Sequence, residues 1–276
     1  MNDSSPWKEF WERKAHPDTP DHVFDRGSPA RAPEVEELSR LELLDFIDPR
    51  ESEYVLDAGC GTGGNVLLLS SKVSRLIALD FASAALARAR QRLTASSISN
   101  ALLVCGTVSA LPLPDRSVDK IICLSVLQYM DDAEVRRTFS EFARVVRVGG
   151  VLILHVKNLA SLYLFSLLVA KRFKQLLGRR TVIEHFRTYR WYVAELKAAG
   201  FDVTDYASSN LFMLESLPRR LVTSLQTLEL RHHRNPFFRA AIVRRLGSDL
   251  KLKATKSIGL DPNTLRDRTR HPELSR

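Results

Sequence analysis

Cysteine is scarce in this chain, and its three copies are scattered. Cys60, Cys105 and Cys123, in 276 residues, lie in apolar or glycine-rich surroundings, and no C-x-x-C pair occurs. Three cysteines in such surroundings, without C-x-x-C pairing, argue against a disulfide framework and a structural zinc site and are typical of a reducing compartment. We therefore expect a cytoplasmic protein, with a hydrophobic content of 45% that is sufficient for a buried core.

Long apolar runs are absent as well. The first ten residues contain no apolar signal segment, which predicts that no secretory leader is present. The most apolar stretch covers residues 159–170 and is shorter than the roughly 20 residues that span a bilayer. We expect this insertion to form a helical cap. It is either an ordinary packed helix or a surface that meets a hydrophobic ligand or lipid.

Acidic residues are outnumbered, and the formal net charge is +9. The basic excess is concentrated in residues 171–190 and 231–256. Such local segments predict a localised contact with anions, for example a peripheral contact with an anionic membrane surface. They do not favour nucleic acid as a partner. The alternative is two solvated basic faces.

From residue 53 onward, short apolar runs alternate with amphipathic helices, which predicts a parallel sheet covered on both faces. The fold class is α/β, with a doubly wound, mostly parallel seven-stranded sheet. Strands are predicted at 54–57, 76–80, 102–105, 118–124, 151–156 and 201–206, with an edge strand at 248–256. The domain plan is an N-terminal helical segment over 1–50, a main domain over 51–256 and a flexible polar tail over 257–276. Helical insertions are expected near 157–190, as the cap after the fifth strand, and near 210–246.

Residues 55–64, V-L-D-A-G-C-G-T-G-G, form a glycine loop between a predicted strand and a predicted helix. The N–H groups at such a helix start suit a phosphate or a carboxylate equally, so the glycines alone leave a dinucleotide site open. Asp57 would repel a pyrophosphate and attract an ammonium group. Asp80 ends the next strand, where a carboxylate can accept hydrogen bonds from both ribose hydroxyls. Together the two acids favour a nucleoside that carries an amino acid.

The glycine loop resembles the first motif of class I S-adenosylmethionine-dependent methyltransferases, of the type that modifies small molecules and lipids. Four more segments resemble that family in the same order. They are L-I-A-L-D-F-A at 76–82, S-A-L-P-L-P-D-R-S-V-D-K-I-I-C-L-S-V-L-Q-Y-M at 109–130, E-F-A-R-V-V-R-V-G-G-V-L-I-L at 141–154 and L-K-A-A-G-F-D-V at 196–203. The resemblance implies a Rossmann-like fold, S-adenosylmethionine as cofactor and S-adenosylhomocysteine as product.

Matched position by position, the resemblance implies where the cofactor binds. The glycine loop would hold the methionine part, Asp80 the ribose and Phe81 the adenine, while Leu124 and Ser125 would approach the sulfonium. Plain core packing is the alternative for Phe81 and Val108. The predicted cofactor residues are Asp57, Gly59, Cys60, Gly61, Gly63, Asp80, Phe81, Thr107, Val108, Leu124 and Ser125.

Two positions depart from the family pattern. Thr107 stands where the family commonly has an acid that contacts the adenine amine. A hydroxyl accepts a hydrogen bond without a charge, so we expect a weaker contact there. Val148 stands where the usual turn has proline, which should affect only the stiffness of the turn.

Three side chains are predicted as catalytic residues, because an oxygen acceptor benefits from a nearby base. His155 lies near the end of the fifth strand, His185 precedes F-R-T-Y-R-W, and Tyr129 follows the fourth strand, where family members often contact the acceptor. A structural role is the alternative for both histidines. No metal site is predicted, since the adjacent histidines at 232 and 233 diverge on a helix.

The expected activity is methyl transfer to a hydroxyl of a small, apolar or lipid- or glycan-linked acceptor. An RNA methyltransferase acting on ribose or carbon stays open, because the pI is near 9.7. An inactive protein that binds S-adenosylmethionine also stays open, given the uncharged Thr107. A reductase using NAD fits the glycine spacing, but a Tyr-x-x-x-Lys motif and a second nucleotide half are both missing. The sequence predicts neither the acceptor's identity nor the oligomeric state.

Overall fold

One seven-stranded sheet forms the centre of the protein. The computed structural model describes residues 6–15, 33–161, 184–209, 219–232 and 247–257. The strands are β1 (Tyr54–Ala58), β2 (Arg75–Asp80), β3 (Ala101–Cys105), β4 (Val118–Leu124), β5 (Val146–Lys157), β6 (Phe201–Ser209) and β7 (Asp249–Lys256), in the spatial order β3-β2-β1-β4-β5-β7-β6.

The first five strands are parallel, and β7 runs antiparallel to both of its neighbours, β5 and β6. The predicted doubly wound, mostly parallel α/β fold is therefore confirmed. The chain leaves β3 at one edge and returns beside β1 as β4, so the strand order reverses between these two central strands. The carboxyl ends of strands flanking such a reversal diverge into a cleft, which is where ligands bind in open α/β sheets.

Seven helices lie within the described residues. They are α1 (Pro6–Lys14), α2 (Pro33–Ile47), α3 (Gly64–Leu69), α4 (Ser83–Ala95), α5 (Asp132–Val145), α6 (Tyr189–Ala198) and α7 (Arg219–Arg231). The Asp131 carboxylate caps α5 by accepting from the N–H of Glu134 at 2.8 Å. The Thr188 hydroxyl accepts from the N–H of Trp191, at 3.3 Å, where α6 begins. These two caps set where the helices start after their loops.

The core has two apolar layers, as expected for a sheet covered on both faces. On one face, Phe139 and Phe142 of α5 pack with Tyr192 and Leu196 of α6. On the other face, the apolar sides of α2, α3 and α4 meet the sheet, with contributions such as Ile47, Val66, Leu69 and Leu93. The central parallel strands β1 and β4 are buried on both sides, which explains their continuous apolar sequences, whereas the edge strand β3 is partly exposed.

The prediction of an edge strand at 248–256 is wrong. β7 lies between β5 and β6, where Lys251 is buried and Lys253 is half-buried. Helix α2 covers their face, with Glu42 forming an ion pair with the buried Lys251 and Phe46 lying 5.3 Å below Lys253. The alternation of lysines with apolar residues correctly indicated one polar face on this strand. That face can be buried because Glu42 of α2 supplies a charged partner.

Helix α1 is tied to the main domain by a carboxylate. Glu12 accepts hydrogen bonds from the N–H groups of Ser83 and Ala84, at 2.8 and 2.9 Å, and from the Ser83 hydroxyl at 3.1 Å. These N–H groups open α4 and have no partner inside the helix, so Glu12 acts as a cap supplied from a distant part of the chain. It also places a negative charge at the positive end of the helix dipole.

Several predicted segments lie outside the described residues: most of the cap insertion at 157–190, the parts of 210–246 on either side of α7, and the tail beyond 257. The basic segments and the apolar run fall largely in these ranges. Where the structure does describe the chain, it contains no helix with the length and apolar character that crossing a bilayer requires.

Candidate active site

The glycine loop after β1 is held close to β2. The N–H groups of Gly59 and Cys60 both donate to the carbonyl of Leu79, at 2.7 and 2.9 Å. Gly59 has φ of 87°, and a Cβ built on it would lie 2.3 Å from Cγ2 of Val126. Gly61 and Gly63 also have positive φ, at 54° and 82°. Position 59 needs glycine for both its conformation and its space, and with glycine at 59 and 61 the loop brings backbone close to the cleft.

Asp80 braces this loop from the end of β2. Its Oδ2 accepts from the N–H of Gly61 at 2.8 Å, and its Oδ1 accepts from the N–H of Ala82 at 2.9 Å. Burial raises the pKa of this carboxyl, these backbone hydrogen bonds oppose the increase, and the charge of Glu12 adds to it. Each carboxylate oxygen has a further lone pair, so Asp80 can still accept from two ligand hydroxyls.

Asp57 lies behind the wall of the cleft. It is fully buried on β1, and within the described part of the chain neither of its oxygens has a hydrogen-bond partner. Burial raises its pKa to about 7, Asn65 lowers it, and the charge of Asp80 raises it further. Asn65 lowers this pKa as a nearby hydrogen-bond donor, although no donor of the described residues lies within hydrogen-bond distance of either oxygen. A buried carboxyl in this state has room for a further donor, from a ligand or from water. Asn65, at the start of α3, does line the cleft.

A single cavity of about 680 Å³ extends from this loop to the ends of β5 and β7. Most of the predicted site residues line it, while Asp57, Gly63 and His185 are not in its wall. The predicted residues that line it are Gly59, Cys60, Gly61, Asp80, Phe81, Thr107, Val108, Leu124, Ser125, Tyr129 and His155. Thr107 reaches this wall from a turn in which its Oγ1 lies 3.1 Å from the hydroxyl of Ser109.

Ser125 and His155 form a hydrogen-bonded pair at the ends of β4 and β5. Ser125 Oγ lies 2.9 Å from Nδ1 of His155, and the Ser125 N–H donates to the His155 carbonyl at 2.8 Å. Ser125 has φ of 60°, which is uncommon for a residue other than glycine. On the other side of the ring, Nε2 lies 3.7 Å from Oδ1 of Asp249, whose carboxylate also accepts from Lys157.

His155 is held in its neutral form. Burial lowers its pKa to about 4, the charge of Asp249 opposes this, and Lys157 and Lys251 lower it further. An imidazole with that pKa is unprotonated throughout the neutral pH range. It can therefore accept a proton, but burial opposes the positive charge that the proton brings.

Tyr129 lies between the cavity and helix α1. Its ring is 4.5 Å from that of Trp7 and 5.3 Å from that of Trp11, measured between centroids. Burial raises the pKa of Tyr129 to about 12, with a further increase from Glu184, so the phenol stays protonated near neutral pH. In that state it can orient a substrate by donating a hydrogen bond, but it cannot act as the initial base.

Gln128, next to Tyr129, offers the cavity an unused acceptor. Its side chain is buried and lines the cavity, and in the described structure Oε1 has no hydrogen-bond partner. The main-chain carbonyl of Gln128 accepts from the N–H of His185 at 2.7 Å, so His185 lies behind this wall and supports it through its backbone. A buried amide oxygen without a donor indicates that a ligand or water supplies one.

Sequence reasoning missed the residue that holds this turn. Arg187 is buried, and its guanidinium donates to the carbonyls of Leu127 and Met130, at 3.1 and 2.6 Å, and to the Asp132 carboxylate at 2.8 Å. It also stacks over the ring of Trp191 at 4.7 Å. In a single sequence, an arginine that binds backbone carbonyls in this way looks the same as an arginine on the surface.

The far wall of the cavity is built from paired charges and was also not predicted. Lys157 is paired with Asp249, and Lys251 with Glu42 from α2. Gln226, Glu229 and Ser209 add polar groups from α7 and β6. No group of three or more histidine, cysteine or acidic side chains suited to a metal ion occurs in the described ranges.

Comparison with known proteins relates residues 55–150 to a family model described as a methyltransferase domain. A probable S-adenosylmethionine-dependent methyltransferase of Mycolicibacterium smegmatis is 34% identical over 155 residues, which cover 55% of this chain and 52% of that protein. A malonyl-[acyl-carrier protein] O-methyltransferase of Yersinia pestis is 40% identical over 99 residues, or 36% of this chain and 34% of that protein. The chain thus spans about half the length, or less, of these relatives.

Solved structures match over more of the chain at lower identity. Geranyl diphosphate C-methyltransferase from Streptomyces coelicolor, determined with S-adenosylhomocysteine, superposes with a TM-score of 0.58 at 15% identity and covers 93% of this chain and all of that one. The [4+2]-cyclase SpnF superposes with a TM-score of 0.56 at 18% identity, covering 83% of this chain and 84% of that one. Since one of these proteins is a cyclase, such likeness shows the fold alone.

Proposed function

Because this chain carries a class I, Rossmann-like S-adenosylmethionine-dependent methyltransferase domain, we propose that it transfers the methyl group of that cofactor to a hydroxyl of a small acceptor. The observation that carries the proposal is the single cavity that joins the Asp80 and glycine-loop wall to the wall of Ser125, His155 and Gln128. One wall suits a nucleoside with an amino-acid tail, and the other offers groups that hold and deprotonate a hydroxyl. S-adenosylmethionine supplies an activated methyl group, so the protein's main contribution is to position the acceptor.

The residues of the near wall fit the cofactor. Backbone N–H groups at the start of α3 suit its carboxylate, and Asp80 suits its ribose. The buried Asp57 lies one layer behind, where its charge can attract the ammonium group through Asn65 or a water molecule. Phe81 and Val108 provide apolar surface for the adenine, and Thr107 provides an uncharged acceptor for its amine.

The acceptor is proposed to present a neutral, hydroxyl-bearing group to the far wall. Both lysines there are paired with carboxylates, so the wall offers little excess charge to an anionic group. Gln128 Oε1 is suited to accept from an acceptor hydroxyl. A lipid- or glycan-linked compound fits this description when its polar end enters the cavity. The Yersinia relative is named for oxygen methylation, which supports an oxygen acceptor.

Titration calorimetry with S-adenosylhomocysteine and with NAD tests the cofactor. We expect binding of the first and none of the second, and binding of NAD alone would overturn the proposal. Formation of S-adenosylhomocysteine is then measured with an alkyl glucoside, a long-chain isoprenoid alcohol and an RNA oligonucleotide as probes. Turnover with either alcohol supports the proposed class. Turnover with the RNA alone, together with a steep dependence of binding on salt, would replace it with RNA methylation.

A further inference from the structure

The pair formed by Ser125 and His155 has a third member, Asp249, and the geometry of the three specifies the direction of a proton path. Ser125 Oγ is 2.9 Å from Nδ1, and the Asp249 carboxylate is 3.7 Å from Nε2. Both ring nitrogens of His155 therefore already face a protein group. Ring lone pairs lie in the plane of the imidazole, so neither nitrogen is left for direct contact with an acceptor hydroxyl.

The Asp249 carboxylate favours a hydrogen on Nε2, because its negative oxygen lies 3.7 Å from that nitrogen. A proton on Nε2 points toward Asp249, whereas a lone pair there would face a negative oxygen. With Nε2 protonated, Nδ1 carries the lone pair and accepts from the Ser125 hydroxyl. The Ser125 hydrogen is then directed at His155, and the remaining lone pairs of Oγ are available to a donor in the cavity that this residue lines.

We infer that Ser125 is the residue that contacts the acceptor hydroxyl, that His155 receives the proton through Ser125, and that Asp249 is a positioning residue for His155. This inference rests on the proposed methyltransferase function and names the proton path of that same site. Its main consequence is that His155 acts through a serine and never touches the substrate.

The step balances in atoms and charge. The acceptor oxygen forms a bond to the methyl carbon as the bond from that carbon to sulfur breaks with its electron pair left on sulfur. The hydroxyl proton passes to Ser125 Oγ, and the Ser125 proton passes to Nδ1 of His155. A positive charge disappears at sulfur as one appears on the imidazole, so the net charge of the closed site is unchanged.

The other charged groups around His155 fit this role. Lys157 on β5, Asp249 and Lys251 on β7, and Glu42 on α2 all act on its charge. The two lysines and two carboxylates form two ion pairs, Lys157 with Asp249 and Lys251 with Glu42, so each positive charge near the ring has a negative partner. The strained backbone of Ser125 is consistent with a side chain that is held for its position, because strain of this kind concentrates at functional sites.

The tautomer of His155 can be measured without knowing the acceptor. The full chain, labelled with ¹⁵N and saturated with S-adenosylhomocysteine, is studied by long-range proton–nitrogen correlation of its imidazoles near neutral pH. His155→Gln identifies the resonances among the seven histidines. We expect a protonated Nε2 and an Nδ1 that accepts a hydrogen bond. Ser125→Ala should shift Nδ1 to the position of a free lone pair, and Asp249→Asn should produce a mixture of tautomers.

The control is Ser140→Ala on the exposed face of α5, which should leave both resonances in place. A protonated Nδ1 in the wild-type chain would overturn the inference, because His155 would then donate to Ser125 and could not receive its proton. An Nδ1 resonance that Ser125→Ala does not move would overturn it as well. If Asp249→Asn fails to fold, the wild-type tautomer and the Nδ1 shift in Ser125→Ala still decide between the two directions of the proton path. Failure to bind S-adenosylhomocysteine would count against the proposed function, whereas the wrong tautomer in the bound protein counts against the proton path alone.

Discussion

Replacing Gly59 with alanine tests whether the glycine loop requires a residue without a side chain at this position. The added Cβ would lie 2.3 Å from Cγ2 of Val126, well inside contact distance, and the residue would have to keep φ near 87°. The left-handed backbone costs a residue other than glycine roughly 1–2 kcal/mol. Overpacking of a filled site costs roughly 1–3 kcal/mol more. We expect Gly59→Ala to lower the free energy of unfolding by about 2–5 kcal/mol, the sum of these two costs.

Gly149 provides the matched control. Its φ is 75°, and a Cβ built on it meets nothing within 4 Å. Gly149→Ala should therefore show the backbone cost alone, about 1–2 kcal/mol. The difference between the two variants, measured by urea denaturation, isolates the steric part. In a Val126→Ala background, Gly59→Ala should cost no more than Gly149→Ala, because the clashing methyl group is gone.

This reasoning also predicts an effect on binding. Val126 directly follows Ser125, so a shift that relieves the clash moves the wall on which the sulfonium end of the cofactor is expected. Affinity for S-adenosylhomocysteine should fall in Gly59→Ala and recover in part in the double variant. Equal destabilisation by Gly59→Ala and Gly149→Ala would refute the steric account, as would a double variant that shows no relief.

Three further predictions concern carboxylates. Asp80→Ala should weaken binding of S-adenosylhomocysteine about 10–100-fold in calorimetry, because hydrogen bonds to a charged group contribute roughly 1.5–3 kcal/mol; an unchanged affinity would rule out the ribose contact. The pKa of Asp57 is about 7 in the folded chain and 3.8 for an ordinary aspartate, so the folded state binds the proton more tightly and the free energy of unfolding falls as pH rises between these values. In urea titrations at several pH values, Asp57→Asn should abolish that fall, about 1.4 kcal/mol per pH unit, and a wild-type stability that does not decline across this window would contradict the raised pKa. Glu12→Ala should cost about 0.5–2 kcal/mol as a lost helix cap and speed amide exchange in α1, whereas Glu9→Ala on the same helix should do neither.

The fold was predictable because its determinants are local. Continuous apolar strands and the glycine loop specify a parallel sheet and its ligand edge without knowledge of distant contacts. The position of β7 was not predictable, because the burial of Lys251 depends on Glu42, which lies 209 residues away in the chain. Pairing between such distant residues leaves no trace in the pattern of either segment.

The candidate site also has one part that local sequence patterns predict and one part that they do not. The residues of the near wall, the glycine loop and Asp80, follow a strand–loop–helix pattern, and the sequence predicted Asp80 at the end of a strand, where the structure has it. The far wall is assembled from β5, β7, α2 and α7, so its partners, such as Asp249 for His155, come together only in three dimensions. Arg187 was missed for the same reason. Its guanidinium binds backbone carbonyl groups of a distant turn, and a sequence does not show which carbonyls lie within its reach.

Helix α1 contacts two sides of the cavity, and we expect this to affect the rate at which the cofactor is exchanged. Its Glu12 is bonded to the start of α4 after β2, its Trp7 and Trp11 contact Tyr129 after β4, and Trp11 and Lys14 form part of the cavity wall. We therefore expect exchange of spent cofactor for fresh cofactor to require these contacts to open, as in enzymes whose turnover is limited by release of product. We expect the release rate to rise when the Glu12 contact is weakened, even where the chemical step is unchanged. We thus expect the opening of α1, a helix of nine residues, to limit the turnover rate.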